Sequence, residues 1–282
     1  MRIAIVQMRS TDDPWENLFL TQSFIAEAQS QKCDLICFPE NVFYRGPRHP
    51  KDFERSEIFL DPNPERALRE GNDWNKAFYE AFSNLDLAVS LGSVLEAPAE
   101  GELPYNAHWF IKPGEKPMSY HKIHLFHFDA PGAVYRESQD YQAGDKPVTV
   151  EWRGWKFGLS ICYDLRFPEL FRNLVVQNKS DVLLIPAAFT ALTGELHWEL
   201  LLRSRAVENL SYVIASAQWG DHFNSRGEAL SCYGNALMVH PWGGVLDRAP
   251  FEGENMLVCE LSREELNEVR KRLPALQNCR LI

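Results

Sequence analysis

Along nearly the whole chain, short apolar runs of β-branched and aromatic character alternate with longer stretches of helical spacing. Strands read at Ile3–Gln7, Leu35–Phe38, Leu87–Leu95, Asn106–Ile111, Lys156–Ile161, Val182–Ile185, Tyr212–Ala217, Ala236–His240 and Met256–Glu260. Helices read at Trp15–Ser30, Pro64–Ser83, Pro168–Gln177, Glu195–Asn209 and Arg263–Leu273. Within Glu195–Asn209, Leu196, Leu200, Leu201, Ala206 and Val207 fall mostly on one stripe. Strands that alternate with helices pack as layers, so the fold class is α/β. At 282 residues and 45% apolar content the chain can bury a large core. No Gly/Pro/Ser-rich linker, low-complexity tract or internal repeat divides it, which predicts one domain over 1–282.

The formal net charge of -10 argues against a nucleic-acid partner, which needs a basic face. No apolar run approaches the ~18 residues of a membrane span, and no basic-then-apolar leader precedes Ile3. Cys33, Cys37, Cys162, Cys232, Cys259 and Cys279 show no paired spacing, which predicts reduced thiols and a cytoplasmic setting, with a mitochondrial one left open.

Three segments carry the chemistry. In Leu159-Ser160-Ile161-Cys162-Tyr163-Asp164-Leu165-Arg166-Phe167-Pro168-Glu169, an apolar run ends on a cysteine and a turn leads into Pro-Glu. This predicts a thiol at a strand's C-terminal edge, near the positive end of a helix dipole that favours the thiolate. Alone, such a cysteine is more often a small buried apolar residue. In Asp34-Leu35-Ile36-Cys37-Phe38-Pro39-Glu40, proline stops the strand and presents a carboxylate at its rim. In Tyr120-His121-Lys122-Ile123-His124-Leu125-Phe126, a cation sits in an apolar, strand-like stretch. It is either an exposed alternate residue or a buried charge that needs an acidic partner. A carboxylate, a thiol and an ammonium together supply a base, a nucleophile and an oxyanion holder.

On these segments, in this order, the chain resembles the nitrilase superfamily of carbon–nitrogen hydrolases nearly end to end. The resemblance implies a Glu40–Lys122–Cys162 triad and a four-layer αββα sandwich, with two mixed sheets stacked between helix layers. It also implies a second glutamate after the lysine, best matched by Glu137 in Phe128-Asp129-Ala130-Pro131-Gly132-Ala133-Val134-Tyr135-Arg136-Glu137-Ser138. A solvated loop acid is the ordinary reading of that residue. The family's Leu-Phe-Asp is here Leu125-Phe126-His127-Phe128-Asp129, a departure that leaves the loop's register open. The implied chemistry is acyl transfer through a Cys162 thioester, with Lys122 and the Tyr163 backbone amide on the oxyanion. No cofactor and no metal is expected. His121, His124 and His127 recur every three residues, and on an extended strand that spacing alternates faces.

The segments Pro186–Glu199, Arg203–Asn209 and Ala217–His222 resemble the branch of deaminated glutathione amidases and ω-amidases. Gln218-x-Gly220-x-His222 leans toward the former. The implied substrate is a small carboxylated 2-oxo acid amide. Arg166 is its candidate carboxylate clamp, or else a salt-bridge partner of Glu169. Tyr163, Phe189 and Thr193 are candidate pocket residues, Thr193 reading otherwise as a helix start. Trp219 is bulky for the branch, and Asn235 stands where relatives carry histidine. A nitrile or N-carbamoyl amino acid hydrolase would use the same triad. A catalytically inactive interaction protein and a redox-sensing thiol protein are rival readings of another class. Relatives pair subunits across helices, so a homodimer or higher even homo-oligomer is expected.

Overall fold

The computed structural model describes residues 1–54, 57–70, 72–97, 102–130, 133–223, 227 and 229–281. Alternation along the central strand Arg2–Met8 sets the layering. Ile3 and Ile5 point into one apolar layer and Ala4 and Val6 into another. The Ile3 side joins Leu35, Phe110 and Tyr120 to Phe157, Leu159, Val182 and Val213 of a second sheet. The Ala4 side joins Ile36, Phe38 and Leu91 to helices α1 (Pro14–Ser30), through Leu18, Phe24 and Ile25, and α3 (Asp73–Ala81), which follows α2 (Pro64–Glu70) and contributes Trp74 and Phe78. Beyond the second sheet lie α4 (Pro168–Val176) and α5 (Ala191–Asn209), with Leu170 and Trp198 in the core; α6 (Arg263–Arg272) contributes Leu266. The architecture is α/β/β/α.

Among the described residues the first sheet has eight strands. Arg2–Met8 runs parallel to Leu35–Cys37 and Ala217–Phe223, and Leu35–Cys37 runs parallel to Ala88–Glu96. The other neighbours, Asn255–Glu260, Ala229–Tyr233, Tyr105–Ile111 and Met118–His121, pair antiparallel. In the six-stranded second sheet, Trp155–Leu159, Val182–Leu184 and Tyr212–Ala215 are parallel, flanked by antiparallel Thr149–Trp152, Leu237–Val239 and Val245–Arg248. The chain leaves the second sheet at Ala215 and enters the first at Ala217, where the Ser216 hydroxyl donates to Phe38 O at 2.7 Å. The carboxyl ends of both parallel sets meet there, the usual place for a site in such sheets.

Several elements differ from the sequence expectation. Pro64–Ser83 is two helices, α3 being started by Asn72, whose side chain accepts from Asn75 N at 2.7 Å; Gly71 lies outside the described residues. The hairpins His127–Ala130/Ala133–Arg136 and Ala217–Phe223/Ala229–Tyr233 and the strand Thr149–Trp152 were not legible as alternating runs. Pro131 and Gly132 of the first hairpin lie outside the described residues. The Lys122 segment is strand only to His121; Lys122 itself begins the following loop.

Helix α5 begins at Ala191 with Thr190 at its cap, so Thr193 lies inside the helix rather than at its start. Its leucine stripe is also misread by hydrophobicity. Leu192, Leu196, Leu200 and Val207 are exposed, and the buried face is Gly194, Trp198, Leu202, Arg205, Ala206 and Asn209. Arg205 can be buried because its Nε and Nη2 donate to Leu165 O at 3.1 and 2.7 Å.

Candidate active site

Glu40 follows Leu35–Cys37 after Pro39 ends the strand, and Cys162 follows Trp155–Leu159, so each sheet delivers one group to the seam. Lys122 follows Met118–His121, and Glu137 opens a 3₁₀ turn after the second strand of the small hairpin. Glu40, Lys122 and Glu137 are 4%, 2% and 3% exposed, so the ordinary readings of Lys122 as an exposed alternate residue and Glu137 as a solvated acid both fail. Lys122 Nζ donates to Glu40 Oε1 at 2.8 Å and to the Glu137 carboxylate at 2.9 Å. Asn106 Nδ2 bridges the same two oxygens, 3.1 Å from Glu40 Oε1 and 2.9 Å from Glu137 Oε1. Glu40 Oε2 accepts from Ala188 N at 2.9 Å, and Glu137 Oε2 from Phe126 N at 2.6 Å. The Cys162 thiol lies beside the Glu40 carboxylate, close enough for each to bear on the other's proton. The structure thus brings Glu40, Lys122, Cys162 and Glu137 into one buried network.

The charges follow from that packing. Burial alone would raise the Glu40 carboxyl, but the Lys122 charge and hydrogen bond, with Ala188 N–H, hold it below the ordinary carboxylate range. Burial would lower the Lys122 ammonium, and Glu137 and Glu40 instead hold it well above its usual value. Cys162 is pushed well up, first by burial and then by the Glu40 charge, against the lowering by Lys122. The thiolate expected from a helix dipole is therefore absent at rest. Cys162 opens a 3₁₀ turn, Cys162–Arg166, and α4 starts only at Pro168. A neutral thiol beside an ionised carboxylate is the pairing a general base needs.

Cys162 has φ +44°, in the left-handed region, with its N–H on Pro186 O at 2.8 Å. Asp164, fully buried, holds this turn: its Oδ2 accepts from Ile161 N at 2.8 Å and from the Tyr120 hydroxyl at 2.7 Å, and its Oδ1 from His124 N at 3.1 Å, with His124 Nδ1 at 2.7 Å from that oxygen. Gly92, on Ala88–Glu96, lets the sheets close on each other. A Cβ there would lie 2.2 Å from Phe38 O and 2.2 Å from Pro186 Cβ.

Past Cys162 along the chain, Arg166 lies over the Phe189 ring at 5.0 Å and the Tyr163 ring at 6.0 Å. Its Nη1 is 3.2 Å from His197 Nδ1, so its partner is not Glu169. Thr193 Oγ1 is 2.8 Å from Thr190 Oγ1, and Tyr163 packs edge-on to Phe126 and Phe167. His121 stacks on Tyr105 and pairs with Glu96, whereas His124 stacks on Phe167, so these rings have separate structural partners. Among the described residues no group of three or more His, Cys, Asp or Glu side chains could hold a metal ion.

Sequence reasoning gave no role at the site to Asn106, Asp164, Gln218 or the Ala188 amide. Gln218 Nε2 donates to Glu40 O at 2.9 Å and Ser10 Oγ at 2.7 Å. Asn106 carried one signal, a buried amide opening an apolar strand. An amide N–H carries none, because every residue but proline has one.

The carbon–nitrogen hydrolase family model matches residues 2–271. A deaminated glutathione amidase of Synechocystis sp. is 36% identical over 98% of this chain and 96% of its own length. The omega-amidase NIT2 of Homo sapiens is 31% identical over 99% of this chain and 95% of its own. Among solved structures, the C. elegans NitFhit protein superposes with a TM-score of 0.83 at 30% identity, over 99% of this chain; the chain spans 65% of that protein. Saccharomyces cerevisiae Nit3, a member of branch 10 of the nitrilase superfamily, gives 0.80 at 28% identity over 97% of this chain and 94% of its own.

Proposed function

The chain belongs to the carbon–nitrogen hydrolase family, and from that premise we propose that it hydrolyses a linear amide of a small carboxylated 2-oxo acid through a thioester on Cys162. The observation that carries the reading is a buried Glu40 carboxylate, kept ionised by Lys122, beside the Cys162 thiol. Glu40 takes the thiol proton as sulfur attacks the amide carbon. Lys122 has three N–H donors, two of them on Glu40 and Glu137, so the third is free for the oxyanion. The Tyr163 N–H, in the first turn of the 3₁₀ segment, is the second oxyanion donor. Collapse of the tetrahedral adduct breaks the C–N bond, and Glu40 returns its proton to the leaving ammonia or amine. A water then gives a proton to Glu40 and its oxygen to the acyl carbon, which frees the acid and restores the thiol. Glu137 stays ionised throughout and keeps the ammonium charged and in place.

The relatives named deaminated glutathione amidase and omega-amidase support a five-carbon 2-oxo acyl group, with Arg166 holding its carboxylate against Phe189 and Thr193 beside them. Mass spectrometry after incubation with a panel of 2-oxo acid amides tests this. An acyl adduct on Cys162, absent in Cys162→Ala, is the expected result. Ammonia released from nitriles or N-carbamoyl amino acids but from no amide overturns it.

The exposed stripe Leu192, Leu196, Leu200 and Val207 supports a homodimer or higher even homo-oligomer packed across α5. Light scattering on Leu196→Glu should then give a smaller species than the wild type. Six free cysteines favour a reducing cytoplasmic setting, and no described helix is long and apolar enough to cross a membrane.

A further inference from the structure

Residues 44–54 leave the core shortly after Glu40, and the chain is back in it at Ile58. Each of them is exposed or half-buried, whereas Phe43 and Ile58 on either side are buried. The segment is knitted to itself. Arg48 donates from Nη1 and Nη2 to the Glu57 carboxylate at 2.6 and 3.0 Å and from Nη2 to Asp52 O at 2.8 Å, and it lies 3.9 Å from the centre of the Phe53 ring. Phe53 in turn packs edge-on to Tyr44 at 4.8 Å. Pro47 and Pro50 stiffen the span between them. At its root, Arg45 N–H donates to Thr11 O at 2.9 Å. The Arg45 guanidinium is within reach of the Glu40 and Cys162 charges, so the segment passes beside the reacting groups.

The outer end of this segment meets one carboxylate. Asp140 is 3% exposed, with Oδ2 3.1 Å from His49 Nδ1 and Oδ1 3.2 Å from Lys51 Nζ. The acid belongs to the body of the protein, where its N–H donates to Glu137 O at 2.9 Å. Its two partners are at the surface, their side chains 45% and 40% exposed. While the segment lies down, Asp140 is covered and needs both of them. If it swings out, acid, imidazole and ammonium all regain water, and what is lost is a pair of half-exposed contacts, which are individually weak. A segment that contributes nothing to the core and is held by such contacts opens far more easily than the fold unfolds.

We infer that residues 44–54 are a flap over the entrance to the Cys162 site, and that Asp140 latches it shut through His49 and Lys51. These three residues touch no reacting atom; they are positioning residues that control access. The inference rests on the reading of Cys162 as the reacting group. Closure keeps bulk water from the Glu40–Lys122 network, where its charges act most strongly, and opening admits the substrate and releases the acid.

Labelling of Cys162 by N-phenylmaleimide, a bulky neutral reagent, reads opening without turnover when followed by mass spectrometry of the Cys162 peptide. Cys37, 2% exposed in the core, is the control for unfolding. Asp140→Asn and the double variant His49→Ala/Lys51→Ala should each label at Cys162 at least about fivefold faster than the wild type, the scale of a half-exposed ion pair, with Cys37 unlabelled. The double variant changes only exposed side chains, so it decides the matter even if Asp140→Asn folds poorly. Raising sodium chloride from about 0.05 M to about 1 M should speed labelling of the wild type and leave both variants unchanged, because salt screens the latch. No acceleration in the double variant, slower labelling in either protein, or an acceleration matched at Cys37 overturns the proposal, since Asp140 would then only support the Glu137 turn. These rates do not depend on amide cleavage. A protein that labels as expected but cleaves no amide keeps its flap and loses only the hydrolase reading.

Discussion

The Tyr120 hydroxyl donates to Asp164 Oδ2 at 2.7 Å, and this bond ties the strand that delivers Lys122 to the turn that delivers Cys162. His124, on the other side of Lys122, reaches Oδ1 of the same carboxylate at 2.7 Å. One buried acid therefore sets the spacing between the Lys122 ammonium and the Cys162 thiol. Tyr120→Phe should cost about 1–3 kcal/mol of stability, because Asp164 loses one donor while fully buried. Its effect on kcat should exceed that on KM, and Asp164→Asn should be worse. Urea unfolding and steady-state kinetics on the same preparations check both.

Cys162→Ala should abolish turnover and leave the thermal midpoint within a few degrees of wild type, since the change removes one atom from a residue that is only partly buried. Lys122→Met should lower kcat by about 100–1000-fold, the usual loss for one oxyanion donor. It should also destabilise the fold by about 3–5 kcal/mol, because Glu40 and Glu137 are left buried without their cation. Calorimetry beside activity separates the two effects.

The acid limb of kcat/KM should lie below the ordinary carboxylate range. As the proposed base, Glu40 can act only when ionised, and its pKa is held down by Lys122 against burial, so activity should rise with pH through that depressed value and be flat through neutrality. A basic limb belongs above the usual thiol range, where the raised Cys162 loses its proton without help. A pH profile with a limb centred near neutrality would contradict this ordering.

Stability should begin to fall in mild acid as two buried histidines take up protons. Burial depresses His108 to about 4 and, together with the Arg45 charge, His222 to about 3. His108 Nδ1 donates to Ser160 O at 3.0 Å and its Nε2 accepts from the Ser90 hydroxyl at 2.7 Å, which fixes a neutral ring. The unfolded chain binds these protons from about pH 6.5 downward and the folded one does not, so the contribution is complete above 6.5 and is lost as pH falls from there toward 3–4. For His108 the loss is about 3 kcal/mol. Urea midpoints at pH 7.5 and 5 should show it, with a shallower slope in His108→Gln.

Gly92→Ala should damage the site from a distance. The added methyl would lie 2.2 Å from a backbone oxygen, Phe38 O, and 2.2 Å from Pro186 Cβ, and neither can swing aside. Spreading these segments separates Glu40 from Ala188 N, so kcat should drop more than tenfold, with a lower thermal midpoint. Wild-type kcat in this variant would show that the seam can relax.

The residues proposed to carry the chemistry were legible because each sits in a local pattern: Pro39 ends a strand before Glu40, an apolar run ends on Cys162, and Lys122 interrupts one. Strand and helix alternation is local too, so the layered α/β class could be read from the chain. Hydrophobicity failed at α5, where Arg205 and Asn209 are buried and Leu196 and Leu200 exposed, because burial depends on whether a distant carbonyl such as Leu165 O is there to accept. Helix-dipole reasoning failed at Cys162, because the thiol's proton is held by burial and by a carboxylate from another sheet. Position along the chain determined which side chains are offered at strand ends. Only the stacking of the two sheets decided which offered groups meet and which charges are balanced, since those depend on contacts between residues far apart in sequence.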